Sequence, residues 1–311
     1  MAVEAHGARL NALSVDVEEH FHVEAFAGVV KPADWPGLPS RVVANTQRTL
    51  ELFARYGAKA TFFLVGWVAE RHPDLVKEIV AAGHEVGCHS YWHRAISRIT
   101  PEQFREDTRR AVGVIEQAAS AQVRGYRAPT FSISTKTLWA LEILAEEGFL
   151  YDSSVFPVRH DLYGMPDAPR FFFQWCLPDG RSLYEMPMTT VRVWGRNWPA
   201  SGGGWLRILP LAYTRWALGR VIGREQRPVI LYFHPWEIDR EQPRMNGPLK
   251  SRLRHYTNLS AMESRLGAIL SDHRFACMHD VLQQELRTGR VAHRELALAS
   301  SPAVLQAPVK A

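Results

Sequence analysis

Residues 12–20 read ALSVDVEEH. An apolar run of strand length ends on a carboxylate, Asp16, and a second carboxylate, Glu18, stands two residues further on. Short apolar runs recur at residues 59–65, 84–88, 123–126, 149–151 and 228–233, and segments of helical period lie between them. That alternation predicts βα units around a parallel sheet, an α/β chain. Thr100, Pro101 and Gln103 form an N-cap, a first-turn proline and a capping-box partner. Phe104, Thr108, Ala111, Ile115 and Ala119 then follow at helical spacing. Leu138, Leu141, Ile143 and Leu144 predict a second helix, stopped by Gly148.

Beyond residue 159 the pattern turns aromatic and proline-rich. RFFFQW (170–175) and YEMPM (184–188) flank the turn signal LPDG (177–180), which predicts a β-hairpin inserted on the barrel. Residues 205–222 read as one amphipathic helix interrupted by Arg207, Arg215 and Arg220. Gly202, Gly203 and Gly204 lack the GK[ST] or GxGxxG context of a phosphate loop and read as a flexible loop near the site. Residues 292–311, rich in Ala, Ser and Pro, read as a fraying tail. The expected organisation is a single domain over 1–290, with insertion and C-terminal extension over about 159–290, then a disordered tail from 291.

Composition narrows the function. A hydrophobic share of 46% and a charged share of 22% suit a globular chain with a sizeable core. Cys88, Cys176 and Cys277 form no CxxC pair, which argues against a disulfide framework or a thiolate zinc site. Lys plus Arg exceed Asp plus Glu by 37 to 32, but the excess is spread along the chain and no nucleic-acid-reading motif accompanies it. The N-terminus lacks the pattern of a secretory signal, and no window reaches the roughly 18 apolar residues of a membrane span. The expectation is a cytoplasmic protein, peripheral to the inner membrane at most.

The chemistry is concentrated at the strand ends. Asp16 closes LSVDV, His89 follows HEVGC, Arg127 follows VRGY, Asp152 follows FLY and His234 follows VILYF. In parallel α/β barrels those ends build the mouth of the site. His89 and His93, in CHSYWH, are spaced to share one face of a helical turn, the spacing zinc sites use. Alone, the pair reads as a surface turn beside Tyr91 and Trp92. Asp16 and Glu18 change that reading, because alternation on a strand points both to one face. One carboxylate completes a two-His, one-carboxylate site with an open position, and the other stays free as a general base.

With these residues in place the chain resembles the NodB-homology polysaccharide deacetylases, carbohydrate esterase family 4, and within them the exosortase-associated (PEP-CTERM type) branch. The family's H-[ST]-x-x-H motif appears as His89-Ser90-Tyr91-Trp92-His93, and its TFDD motif as Ser14-Val15-Asp16-Val17-Glu18. R-x-P-[YF] appears as Arg127-Ala128-Pro129, with Thr130 at the aromatic position and Phe131 next to it. The last two motifs match Tyr151-Asp152-Ser153-Ser154 and Leu231-Tyr232-Phe233-His234. GGGWLRILP (202–210) is typical of the exosortase-linked branch.

The resemblance implies a distorted seven-stranded (β/α) barrel and hydrolysis of N-acetyl groups on an amino-sugar polymer or its precursor. It implies one divalent ion, zinc before cobalt or nickel, on Glu18, His89 and His93, with Glu19 the rival carboxylate. Asp16 becomes the base, paired with Arg127, and His234 the acid, held by Asp152. Thr130 lends a backbone N–H to the oxyanion, Phe131 forms an aromatic wall, and Trp194 and Trp205 stack on sugar rings. Implied partners are an N-acetylated polysaccharide and the exopolysaccharide synthesis machinery, without nucleic acid or a transmembrane segment. Two other readings remain open: a small-molecule amidohydrolase of the same fold, and a catalytically silent carbohydrate-binding component of an assembly complex.

Overall fold

The computed structural model describes residues 9–160 and 163–296. Strands β1 (Asn11–Val17), β2 (Thr61–Leu64), β3 (Glu85–Cys88), β4 (Gly125–Tyr126) and β5 (Tyr151–Asp152) alternate with helices α1 (Val42–Tyr56), α2 (Gly66–Arg71), α3 (Pro73–Ala81), α4 (Pro101–Ala119) and α5 (Trp139–Glu146). Four strands follow, β6 (Phe173–Cys176), β7 (Ser182–Glu185), β8 (Thr190–Val193) and β9 (Arg196–Pro199), then α6 (Gly204–Ile208) and α7 (Leu211–Gly219). The described chain closes with β10 (Ile230–Phe233), α8 (Leu249–Tyr256), α9 (Leu259–Asp272), β11 (Phe275–Ala276), α10 (Met278–Arg287) and β12 (Ala292–Glu295).

β1, β2 and β10 are buried at every position, so their near-continuous apolar sequence is that of parallel strands covered on both faces. The main sheet runs β10-β1-β2-β3-β4-β5-β7-β6-β12, with β11 also on β1. Its ladders are parallel except for β6–β7. Register aligns Val15 with Phe233, Asp16 with Phe63, Leu64 with Cys88, Cys88 with Tyr126, and Tyr126 with Asp152. The titratable residues that follow or end these strands therefore stand in a row along one edge of the sheet. Helix α4 begins as the sequence predicts: Gln103 N–H donates to Thr100 Oγ1 at 3.3 Å and Thr100 N–H to Gln103 Oε1 at 3.1 Å.

Among the described residues the path of paired strands is open, a mixed sheet with helices, and the ladders do not by themselves draw the expected distorted seven-stranded barrel. The outer edge of β10 is satisfied by the chain before α6. Ile230 N–H donates to Thr189 Oγ1 at 2.6 Å, Tyr232 N–H to Ser201 O at 2.7 Å and Gly203 N–H to Tyr232 O at 2.7 Å. Gly202 makes this possible, with φ of 115° and a position where a Cβ would lie 2.1 Å from Tyr232 O. The glycine run is thus an ordered bridge to β10 and not a flexible loop.

Three further expectations are revised. The LPDG hairpin forms as β6–β7, but β7 pairs with β5 and extends the sheet instead of resting on it. Residues 292–295, expected to fray, form β12 beside β6, while 297–311 lie outside the described residues. Residues 205–222 are not one helix: Pro210 separates α6 from α7, since a proline inside a helix removes a hydrogen bond and clashes with the preceding turn.

The Asp152–Glu185 register places two carboxyl groups side by side, both fully buried. Ser154 Oγ and N–H donate to Asp152 at 2.6 and 3.0 Å, and Val155 N–H donates to Glu185 at 3.1 Å. Burial raises both carboxyls above their ordinary range, and mutual repulsion raises Glu185 further, so the folded pair retains a proton. The unfolded chain releases that proton above about pH 4. The folded state then binds more protons, and its stability falls as pH rises from about 4 through the raised carboxyl range. Glu185→Gln removes the Glu185 share of this dependence and leaves that of buried Asp152. Urea unfolding at acid and neutral pH should show wild type losing stability toward neutral pH relative to the variant.

Candidate active site

A cleft of about 560 Å³ opens at the edge where the strand-end residues stand, lined by Asp16, Glu18, His89, His93 and His234 among others. This is the size range of small-ligand sites. Glu18, His89 and His93 each offer a ligand atom, and those atoms lie within 4.8 Å of one another.

Each candidate ligand atom is held by its surroundings. Trp236 Nε1 donates to Glu18 Oε1 at 3.0 Å, leaving Oε2 buried without a hydrogen bond and 2.6 Å from His93 Nε2. His89 Nδ1 meets the Arg127 carbonyl at 2.7 Å, which fixes the proton there and leaves Nε2 as the lone-pair atom. Burial depresses His89 to about 4, so it stays neutral as a ligand must be. For Glu18 burial works the other way, but His93 and His234 outweigh it and hold the carboxyl below its usual range. A buried carboxylate oxygen facing two imidazoles fits a divalent cation.

His89 and His93 do not share a helical turn. They belong to a loop in which Ser90 and His93 have φ of 58° and 49°. Asp107 of α4 pins the loop, accepting from Tyr91 N–H at 2.6 Å and Trp92 N–H at 3.3 Å. The N-terminus of α2 closes on it as Gly66 N–H donates to Ser90 O at 2.8 Å; a Cβ at Gly66 would lie 2.7 Å from the Tyr91 ring. Glu19, the rival ligand, turns away to accept from Ser40 Oγ and Arg41 N–H at the start of α1.

Asp16 stands apart from the ligand trio. Arg127, inaccessible to solvent, donates to Asp16 Oδ1 at 2.7 Å, Ser14 Oγ at 2.8 Å, Ser153 Oγ at 3.0 Å and Ser153 O at 3.2 Å. The expected Arg127–Asp16 pair is therefore formed, leaving Asp16 Oδ2 toward the cleft, 3.9 Å from His234 Nε2.

His234 does not rest on Asp152, whose oxygens are taken by Ser154. Its Nδ1 lies 3.1 Å from Glu237 Oε2, which also accepts the His234 N–H at 2.9 Å. Glu237 is anchored in turn by buried Arg207, whose Nε donates to Oε1 at 2.7 Å. Arg207 Nη1 spans the carbonyls of Arg254, His255 and Thr257 at 3.2, 2.9 and 2.8 Å. Burial disfavours the His234 imidazolium, but Glu18, Glu237 and Asp16 outweigh it and raise the ring to about 9. Burial likewise opposes the Glu237 carboxylate, yet Arg207 and His234 hold it at about 2. Glu237, Arg207 and Trp236 escaped the sequence reading. A carboxylate three residues after His234, able to cap its turn, was the available signal.

Thr130, Phe131 and Trp205 line the cleft. Thr130 and Phe131 have φ of 57° and 49°, a costly conformation for side-chain-bearing residues and one that gathers at functional sites. Phe131 packs edge-on against Tyr232 at 5.1 Å. Trp194 is not in the cleft: it sits at the β8–β9 tip, 94% exposed.

Residues 34–147 match the polysaccharide deacetylase family. Residues 153–283 match a second family, described as a domain of unknown function, DUF3473. Over 108 residues the chain is 36% identical to a peptidoglycan deacetylase of Helicobacter pylori, covering 35% of this chain and 36% of that protein. Over 98 residues it is 31% identical to a Bacillus cereus peptidoglycan-N-acetylglucosamine deacetylase (31% and 36% covered). Over 101 residues it is 31% identical to a Bradyrhizobium chitooligosaccharide deacetylase (32% and 43%). The chain thus spans about a third of the length of the first curated relatives it matches. A solved Mycobacterium smegmatis protein assigned to the polysaccharide deacetylases superposes with a TM-score of 0.62 at 20% identity, covering 97% of both chains. An allantoinase gives 0.61 at 17% identity, covering 91% and 92%. Both likenesses are of fold. His89, His93 and Arg127 lie in the deacetylase segment, Asp16 and Glu18 precede it, and His234 and Glu237 fall in the second match.

Zinc chloride should raise the thermal midpoint of wild type, by about 2.7 kcal/mol of stability at a hundredfold excess over Kd. Glu18→Gln and His93→Ala should abolish that rise, and Glu19→Gln should keep it. Arg207→Met leaves Glu237 buried without its guanidinium partner and should cost about 3–5 kcal/mol in urea unfolding.

Proposed function

We propose that the chain is a metal-dependent hydrolase that removes N-acetyl groups from N-acetylhexosamine units of a bacterial polysaccharide or its precursor, releasing acetate. The arrangement of Asp16 carries this reading: it is bound to Arg127, outside the Glu18–His89–His93 trio, and faces His234 across the cleft. A free carboxylate and an imidazole opposed over a candidate metal site are the base and acid that amide hydrolysis needs. The matches to enzymes named for peptidoglycan and chitooligosaccharide deacetylation support the substrate class.

Two imidazoles and one carboxylate suit zinc, with cobalt or nickel accommodated by the same donors. When bound, such an ion lowers the pKa of a water and polarises the acetyl carbonyl. Asp16 takes the proton of the attacking water, its charge and direction set by Arg127. The backbone N–H of Thr130 donates to the oxyanion, a role independent of side chain and therefore compatible with threonine where the resembling family has an aromatic residue. His234 gives its Nε2 proton to the departing sugar nitrogen. Glu237 keeps Nδ1 bonded and the ring in place, so the acid is held by a residue of its own turn. Phe131 and Trp205 supply apolar wall for a sugar ring. GGGWLRILP and the match over 153–283 are in keeping with the exosortase-linked branch and a place beside exopolysaccharide synthesis.

Acetate release from defined N-acetylglucosamine oligomers should be stopped by a chelator and restored by zinc. Asp16→Asn should keep the zinc-induced rise in thermal midpoint and lose activity by about 10²–10⁴-fold. Undiminished turnover in that variant, or indifference to the chelator, would overturn the assignment.

A further inference from the structure

Residues 186–224 contain no aspartate or glutamate, yet hold six arginines and Trp194, Trp198, Trp205 and Trp216. Arg207 and Trp205 serve the cleft. Arg192, Trp194, Arg196 and Trp198 belong to the β8–β9 hairpin, and none of them lines the cleft. β8 and β9 make a hairpin whose two-residue loop, Trp194-Gly195, has φ of 48° and 74°. Such turns favour Asn or Gly first, so a bulky indole there is held against local preference. Trp194 is 94% exposed, with Trp198 at 47% and Trp216 of α7 at 46%.

The hairpin is braced. Val191 is buried with Ala200 and Ala217 of α7, Asn197 Nδ2 donates to Pro157 O at 2.9 Å, and Tyr213 OH donates to Pro199 O at 3.0 Å. The tip therefore projects from a fixed base. Arg192 and Arg196 flank it, both exposed, and no ion pair holds either of them among the described residues. Elsewhere the surface arginines are commonly paired, as Arg48 and Arg55 are with Glu263 and Arg215 with Asp272.

We infer that the β8–β9 hairpin is a docking element for an anionic lipid bilayer. Trp194 would enter the headgroup layer, where an indole finds both apolar and polar surroundings, while Arg192 and Arg196 meet lipid phosphates. A glycan chain is the weaker occupant, because ligand sites are concave whereas this feature is a convex tip that matches a planar interface. The inference is independent of the chemistry in the cleft, and it assigns a use to part of the segment matching the family of unknown function.

Co-sedimentation of the full chain with vesicles tests it. Binding to equimolar phosphatidylcholine and phosphatidylglycerol should exceed binding to phosphatidylcholine alone and should fall with added salt. Arg192→Gln with Arg196→Gln should weaken it by about 25-fold, from about a factor of five per arginine near a charged surface. Trp194→Asn suits the turn better than the native residue and should keep the thermal midpoint while reducing vesicle binding. Equal binding to both vesicle types, or full binding by either variant, overturns the inference. So does binding to a soluble anionic polysaccharide in the absence of vesicle binding.

Discussion

The guanidinium of Arg127 has no access to solvent, and burying an ion costs several kcal/mol unless its donors are met. Asp16, Ser14 and Ser153 meet them, so β1 and the end of β5 are locked around one side chain. The same residue's carbonyl holds His89 Nδ1 and thereby chooses which imidazole nitrogen faces the cleft. One strand-end arginine thus orients the proposed base with its side chain and a proposed ligand with its backbone. Parallel register makes this feasible, because residues following aligned strands arrive at the same level of the sheet.

A second buried arginine, Arg207, plays the corresponding part on the opposite wall. It neutralises Glu237 and ties it to the carbonyls at the end of α8, and Glu237 then fixes His234. Asp152, the partner expected from the motif, is instead occupied with Ser154 and Glu185 deeper in the sheet. The proposed acid and its holder come from the segment matching the family of unknown function, while both proposed imidazole ligands come from the deacetylase segment. Neither segment holds the site alone. This is physically sensible for a cleft built across strand ends, where opposite walls belong to distant parts of the chain.

Much of this was legible in the sequence. Continuous apolar runs gave the buried parallel strands, the cap at Thr100 gave the start of α4, and the turn signal at 177–180 gave the β6–β7 hairpin. Those features are local: a cap, a turn or an apolar period acts within a few residues. The candidate donor set was legible for a similar reason, since a charged or imidazole residue directly after a buried strand must find a partner or a ligand.

What the sequence by itself determined, then, is the alternation of elements and the identity of the groups at their ends. The tertiary structure alone decided between near neighbours. Glu18 faces the imidazoles because Trp236, 218 residues away, binds its other oxygen, while Ser40 and Arg41 draw Glu19 off. Trp205 lines the cleft and Trp194 leaves it because Pro210 and the bridge from Gly203 to β10 place α6, and α7 props the hairpin outward. The open edge of β10 was likewise settled by a loop that supplies its hydrogen bonds. Each of these choices depends on atoms brought from far along the chain, and local periodicity does not record where those atoms arrive.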